Sequence, residues 1–224
     1  MKKTWVALLI LAVFVFPGCV MLKYPEPGEP LGKLGDRALV FGKIKVKERG
    51  KEFKPWSSNL LDVLATFGKP NVDLSIFWVE AGARGFSVTI EGDGHFYWIV
   101  PRGTYLIYHT YLDPLPNNEA FAAFQVPAQG DAVYAGNLIV HVESEYESSS
   151  EEIGFHVIEV EIEDAFEEEL KIFHKRHPGL PVEVTKVLAR YDPFFLNLFN
   201  DYDRYQCEKI LNRNGLSLLT YGSH

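Results

Sequence analysis

The side chains of this chain that could do chemistry are few and scattered. It holds seven histidines and two cysteines, Cys19 and Cys207. His174 and His177 stand three apart on a segment of helical periodicity, so they could share a face and hold a metal. They also fall in the last turn, where the helix dipole favours a positive ring anyway. His141 and His156 fall on two strands joined by the stretch 144–153. Pairing Val140 with Ile158 and Leu138 with Val160 keeps the apolar residues on one face. That register sets His156 opposite Val142 and His141 on the other face, whereas bringing the two rings together needs a one-residue slip that mixes the faces. The acidic stretch 143–152, with Ser148, Ser149 and Ser150, lacks the spacing of a calcium loop. Glu167, Glu168 and Glu169 read as a solvated helix start. Tyr97, Tyr105, His109 and Tyr111 lie on neighbouring strands, joined by Tyr108. An exposed row of these rings would suit sugar or peptide binding; half-buried, they would give the C-terminal helices a surface to cover.

Whole classes of activity find no support. The sequence has no Gly-rich phosphate loop, no Gly-x-Ser-x-Gly elbow, no His-Glu-x-x-His and no Cys-x-x-Cys. No catalytic residue, metal or cofactor is expected. The 22 basic side chains face 30 acidic ones, an imbalance that argues against nucleic acid, whose phosphates call for clustered Lys and Arg.

Cys19 has the clearest chemical role. Lys2 and Lys3 form a positive start, and residues 4–16 form an apolar stretch too short for the roughly 20 residues of a spanning helix. Gly18 supplies the small residue beside a cut. The run Val15-Phe16-Pro17-Gly18-Cys19 resembles a bacterial lipoprotein signal, with Pro17 where a small or aliphatic residue is usual. The resemblance implies cleavage before Cys19, lipid on its sulfur and a membrane as partner. An uncleaved anchor, or a secretory signal cut elsewhere, is the alternative. Val20 in place of the Asp that retains lipoproteins in the inner membrane implies the periplasmic face of the outer membrane. With Cys19 acylated, Cys207 has no partner in its chain. It reads as either an inert semi-buried thiol or one used in an intermolecular disulfide or redox role. Its position off the apolar stripe of its helix predicts at least partial exposure.

These residues must be positioned by a chain that divides four ways: leader 1–18, lipidated Cys and Pro-rich tether 19–35, β-sandwich domain 36–163, and helical and strand extension 164–224. Proline at every second or third position favours an extended tether that serves as a spacer. Residues 37–47 end in clean alternation, Ile44 and Val46 against Lys43, Lys45 and Lys47, which is a half-buried strand. Further strands are expected over 72–80, 84–90, 95–100, 104–112, 119–126, 137–143 and 154–163, divided by Gly, Pro, Asn and Asp. A short helix is expected over 58–67, stopped by Gly68 and Pro70. The fold class is therefore mainly β, an antiparallel sandwich with an inserted helix and two C-terminal helices. The first of these, over 164–177, has Asp164 and Glu167 as a capping-box-like pair and Phe166, Leu170 and Phe173 as its buried stripe. Residues 182–189 read as another strand. The second helix starts at Asp192-Pro193, carries Phe194, Phe195, Leu198, Phe199, Tyr202, Tyr205, Gln206 and Ile210 at helical spacing, and stops at Gly215.

Phe96, Trp98, Pro101, Gly103 and Tyr105 resemble the hairpin of carboxypeptidase-regulatory-like and transthyretin-like β-sandwiches, with Arg102 where a second Pro is common. The run 124–134 resembles the next strand and turn of lipoproteins with this domain. The resemblance covers residues 38–162 and implies an immunoglobulin- or prealbumin-like sandwich serving as an accessory module. The expected function is that of a non-catalytic interaction or assembly module of the cell envelope, with an envelope protein as partner. A glycan- or peptide-binding module is the alternative, and a hydrolase ranks third.

Overall fold

A computed structural model describes residues 24–29, 32–53, 74–113, 115–146, 153–178, 183–197 and 204–218. The leader, Cys19 and the helix expected over 58–67 lie outside the described residues.

Among the described residues, ten strands make two sheets. The first contains β1 (Arg37–Glu48), β2 (Lys51–Phe53), β5 (His95–Pro101), β8 (Ala132–Tyr146), β9 (Ile153–Glu163) and β10 (Val184–Lys186). The second runs in the order β4 (Ala83–Ser87), β3 (Leu74–Trp78), β6 (Gly103–Asp113), β7 (Leu115–Val126). Two helices, α1 (Phe166–Arg176) and α2 (Arg204–Arg213), and a 3-10 turn over Pro193–Asn197 complete the described elements.

The strands follow from alternation. In β1, Ala38, Val40, Ile44 and Val46 point into a core shared with Ile76, Ile107, Phe121 and Phe124 of the second sheet. The two sheets therefore pack face to face in a sandwich-like arrangement. Leu39 and Phe41 of β1 point the other way, into a separate cluster with Tyr97, Tyr134 and Phe173 beneath α1. The Phe173 ring stacks on Phe41 at 4.4 Å. A third cluster lies on the far side of the second sheet, where Phe77, Leu106 and Ala123 meet Phe195, Cys207 and Leu211. Each fully buried large apolar side chain contributes about 1.5–3 kcal/mol, so each outer cluster is enough to hold its helix down. The order of layers is helix, sheet, sheet, helix.

The first sheet is not antiparallel throughout. β8 runs parallel to β1, with Ile44 beside Leu138 and Val46 beside Val140, and β10 runs parallel to β8. Alternation reveals which face a residue takes but not the direction of a strand's neighbour, and these partners are distant in sequence. The β8–β9 register also differs from expectation. Val140 pairs with Val160 and Leu138 with Ile162, and a bulge after His141 sets Val142 opposite Val157. Ile158 is left 54% exposed. His141 pairs with Glu159 and His156 with Glu143.

The β5–β6 connection passes from one sheet to the other rather than closing a hairpin within one. Tyr105 donates its phenolic hydrogen to the Pro101 carbonyl at 2.7 Å, four residues upstream. Arg102 donates to the Pro127 and Gly130 carbonyls, both at 2.8 Å. At Gly103 φ is +151°, and an added Cβ would run into the Trp78 indole nitrogen, so only glycine fits there.

The C-terminal elements depart from the sequence reading in three places. At α1 the N-cap is Ala165, without a side-chain cap; the Asp164 carboxylate accepts instead from the Phe166 N–H at 3.3 Å. The segment expected to open a helix at Pro193 forms a 3-10 turn over Pro193–Asn197, and α2 covers Arg204–Arg213. Cys207 is buried rather than exposed, one turn before Leu211 on the covered face. Burial pushes its thiol up to about 12.

Candidate functional site

Two clusters built around buried histidines gather ionisable side chains, apart from buried Asp192, which accepts from Arg213 and Asn214. The first lies beneath α1. His95 opens β5 after a tight turn closed by the Gly94 N–H to the Glu91 carbonyl at 2.8 Å. The ring is 7% exposed and faces two carboxylates, with Nδ1 2.8 Å from Asp93 Oδ2 and Nε2 3.1 Å from Glu169 Oε2. Nδ1 suits donation to Asp93, while Nε2 stands within ion-pair distance of Glu169 without hydrogen-bond alignment. Burial alone would lower the His95 pKa, but the contacts to Glu169 and Asp93 outweigh it and raise it. Burial alone would raise Glu169, but His95 and the Asn137 amide, which donates to Oε1 at 3.1 Å, hold it low. Glu169 is thus buried, unlike its exposed neighbours Glu167 and Glu168, and is not part of a solvated helix start.

Beside this tie, Arg176 lies 4.4 Å over the Tyr97 ring and donates from Nη1 to Glu91 Oε2 at 2.9 Å, with Nη2 on the other oxygen. Burial pushes the Tyr97 phenol well up. His177 caps the helix, meets Tyr97 edge-on at 5.5 Å and is 1% exposed, with neither ring nitrogen hydrogen-bonded. Burial, with Arg176 next to it, lowers its pKa, so the ring packs as a neutral plate. His174 is exposed, and the two rings of the expected pair do not share an environment.

The second cluster joins the two sheets. His109 of β6 and Glu119 of β7 are direct cross-strand partners. His109 Nε2 is 3.1 Å from Glu119 Oε2, and His156 Nδ1 of β9 is 3.3 Å from Oε1. The Val157 N–H also reaches Oε2 at 3.5 Å. Burial alone would raise Glu119, but the bonds from His109 and then His156 hold it low. His141, on the opposite face, instead pairs with Glu161 at 2.8 Å. His109 borders an apolar void of about 10 Å³ with Leu74, Phe121, Val142 and Val157, room for one water at most.

Of the rings expected in a binding row, Tyr97 is buried under α1, while Tyr105 and His109 are buried between the sheets. They occupy two separate interiors and form no exposed row; the Tyr111 side chain lies outside the described residues. No cluster of three or more metal-binding side chains occurs among the described residues, and no described helix is long and apolar enough to cross a membrane. Sequence reasoning missed Glu119 and Glu169, although both sit at core-facing positions: Glu119 is two before Phe121 on its strand, and Glu169 lies between Phe166 and Phe173 on its helix.

No family model matches the chain, and no curated protein matches it. Among solved structures it is similar to a DUF3823 family protein from Parabacteroides merdae, at 14% identity and a TM-score of 0.30, over 49% of this chain and 50% of that one. The chain spans about half the length of that protein.

Proposed function

We propose that the chain is a lipid-anchored cell-envelope module that works by contact rather than by catalysis. The observation that carries this reading is how the buried ionisable groups are used. His95 of the first sheet meets Glu169 of α1, and His156 of β9 meets Glu119 of β7 across the two sheets, while His109 and Glu119 pair within the second sheet; the void beside His109 is too small for a substrate. The surface offers a place for contact instead. The exposed large apolar side chains of the described body are Ile158 and Phe194, 54% and 56% exposed. Tyr191, three residues before Phe194, donates its phenolic hydrogen to the Ile158 carbonyl at 3.3 Å. The Arg213 guanidinium lies 4.8 Å over the Phe194 ring, and we take Ile158 and Phe194 as the two candidate contact positions.

The address follows from Cys19. Lipid on its sulfur, after cleavage of residues 1–18, places the body at a membrane without a spanning helix, since two acyl chains suffice for stable anchoring. Val20 favours the periplasmic face of the outer membrane. As for fold type, we read the sandwich as carboxypeptidase-regulatory-like or prealbumin-like. The sheet crossing at Pro101–Gly103 and the Tyr105 bond back to Pro101 support this, as tyrosine corners mark such sandwiches. The glycan- or peptide-binding alternative loses its exposed row of rings, because Tyr97, Tyr105 and His109 are buried.

The test is mass spectrometry of the protein from the membrane fraction, followed by affinity capture of the lipidated form. Diacylglycerol on Cys19 and an envelope protein captured in fixed ratio are expected. An unlipidated Cys19 would refute the anchor, and binding to a glycan array with no protein partner would favour the alternative.

A further inference from the structure

The Pro-rich segment is not a free spacer over its whole length. Tyr24 packs against the inter-sheet core, and its phenol donates to the Ser87 carbonyl at 2.7 Å. Pro25 is buried. The Gly28 N–H donates to the Arg176 carbonyl at 2.9 Å, in the last turn of α1, and a turn closes from the Glu29 N–H to the Glu26 carbonyl at 3.0 Å. Residues 24–29 therefore strap the flank where β4, β5 and the C-terminus of α1 meet. Four residues, 20–23, stand between Cys19 and Tyr24. Those five Cα steps reach at most about 18 Å. Sixteen extended steps from Cys19 to Gly35 would have reached about 50 Å.

We infer that the β4–β5 flank of this body faces the bilayer surface, held against the lipid headgroups by a short tether from Cys19. The inference rests on the lipid-anchor reading above. Charge does not drive the apposition: Glu26 and Glu29 share this flank with His174 and Lys175 near the end of α1. Tether length drives it. The opposite flank of the first sheet is β9, three strand spacings or about 14 Å away. Ile158 and Tyr191 lie on that side, turned from the membrane and open to a periplasmic partner.

The experiment uses full-length lipidated protein in phospholipid vesicles that carry a nitroxide on the headgroup. A fluorophore is placed at Lys175→Cys, exposed on the strapped flank, or at Glu159→Cys, exposed on β9; buried Cys207 does not compete for the label. Quenching several-fold stronger at position 175 than at 159 is expected. An insertion of about ten Gly and Ser residues between Lys23 and Tyr24 leaves the strap and the fold intact and should bring the two values together. Equal quenching in the uninserted protein, while it floats with the vesicles, overturns the orientation and leaves the anchor standing. Protein that does not float and carries no lipid on Cys19 overturns both.

Discussion

The two buried histidine clusters are built in opposite ways. Beneath α1, one imidazole stands between two carboxylates, Asp93 and Glu169. Between the sheets, one carboxylate, Glu119, stands between two imidazoles. The first places a positive ring at the centre and adds Lys43, the register neighbour of both His95 and Asn137. The second places a negative group at the centre and a nearly dry apolar core beside it. Both fasten one layer to the next, yet their dependence on pH differs.

The comparison predicts a ranking. Glu169→Ala should have the largest effect, because it strips the buried acceptor from His95 and from Asn137 together. Removing one partner of a buried charged pair costs about 3–5 kcal/mol, so urea unfolding should show a loss of about 3 kcal/mol. Glu119→Ala should cost less, about 2 kcal/mol by the same measurement, since His156 at its outer end is partly solvated, with its side chain 32% exposed. A reversed order would break the comparison.

The pH profile sharpens it. A raised His95 pKa contributes stability that is fully present below the unfolded value of 6.5 and is lost as pH rises through the folded value. Lowered Asp93 and Glu169 contribute stability that is present above their unfolded values of 3.8 and 4.5 and is lost as pH falls through their folded values. The α1 tie is therefore strongest between roughly pH 4.5 and 6.5. Lowered Glu119 contributes stability that is present above its unfolded value of 4.5 and is lost as pH falls through its folded value. Urea midpoints should fall for the native protein as pH rises above 6.5, and less so for His95→Gln. A His95→Gln slope equal to the native one would remove His95 from the account. The smallest effect belongs to the surface. Lys45→Ala breaks the 3.1 Å pair with Glu163, whose side chain is 48% exposed, and should cost less than about 0.5 kcal/mol.

Much of this was legible in the sequence. Alternation placed Ile44 and Val46 inside and Lys43, Lys45 and Lys47 outside, because one buried face fixes parity. The stripe of Phe166, Leu170 and Phe173 located α1. Position 169 belongs to that stripe by spacing, but a run of three glutamates reads as solvated until a partner is known, and His95 lies 74 residues away in sequence. The parallel course of β1 and β8 was hidden for a similar reason: periodicity carries no direction. The helix expected from Asp192 opens instead as a 3-10 turn at Pro193, and Cys207 lies with Leu211 on the covered face of α2. The strap was missed because composition favours an extended chain at Pro25, Pro27 and Pro30, while the contacts that hold Tyr24 and Gly28 are made by remote residues, Ser87 and Arg176.

We propose that the body is held at a membrane by its strapped flank and meets a protein partner with the flank that carries Ile158. In-cell photo-crosslinking from position 194 and, in a second strain, from position 175 tests it most directly. A discrete protein adduct from 194 and a lipid adduct from 175 are expected. Protein adducts of one size from both positions, or no adduct from 194, would contradict it.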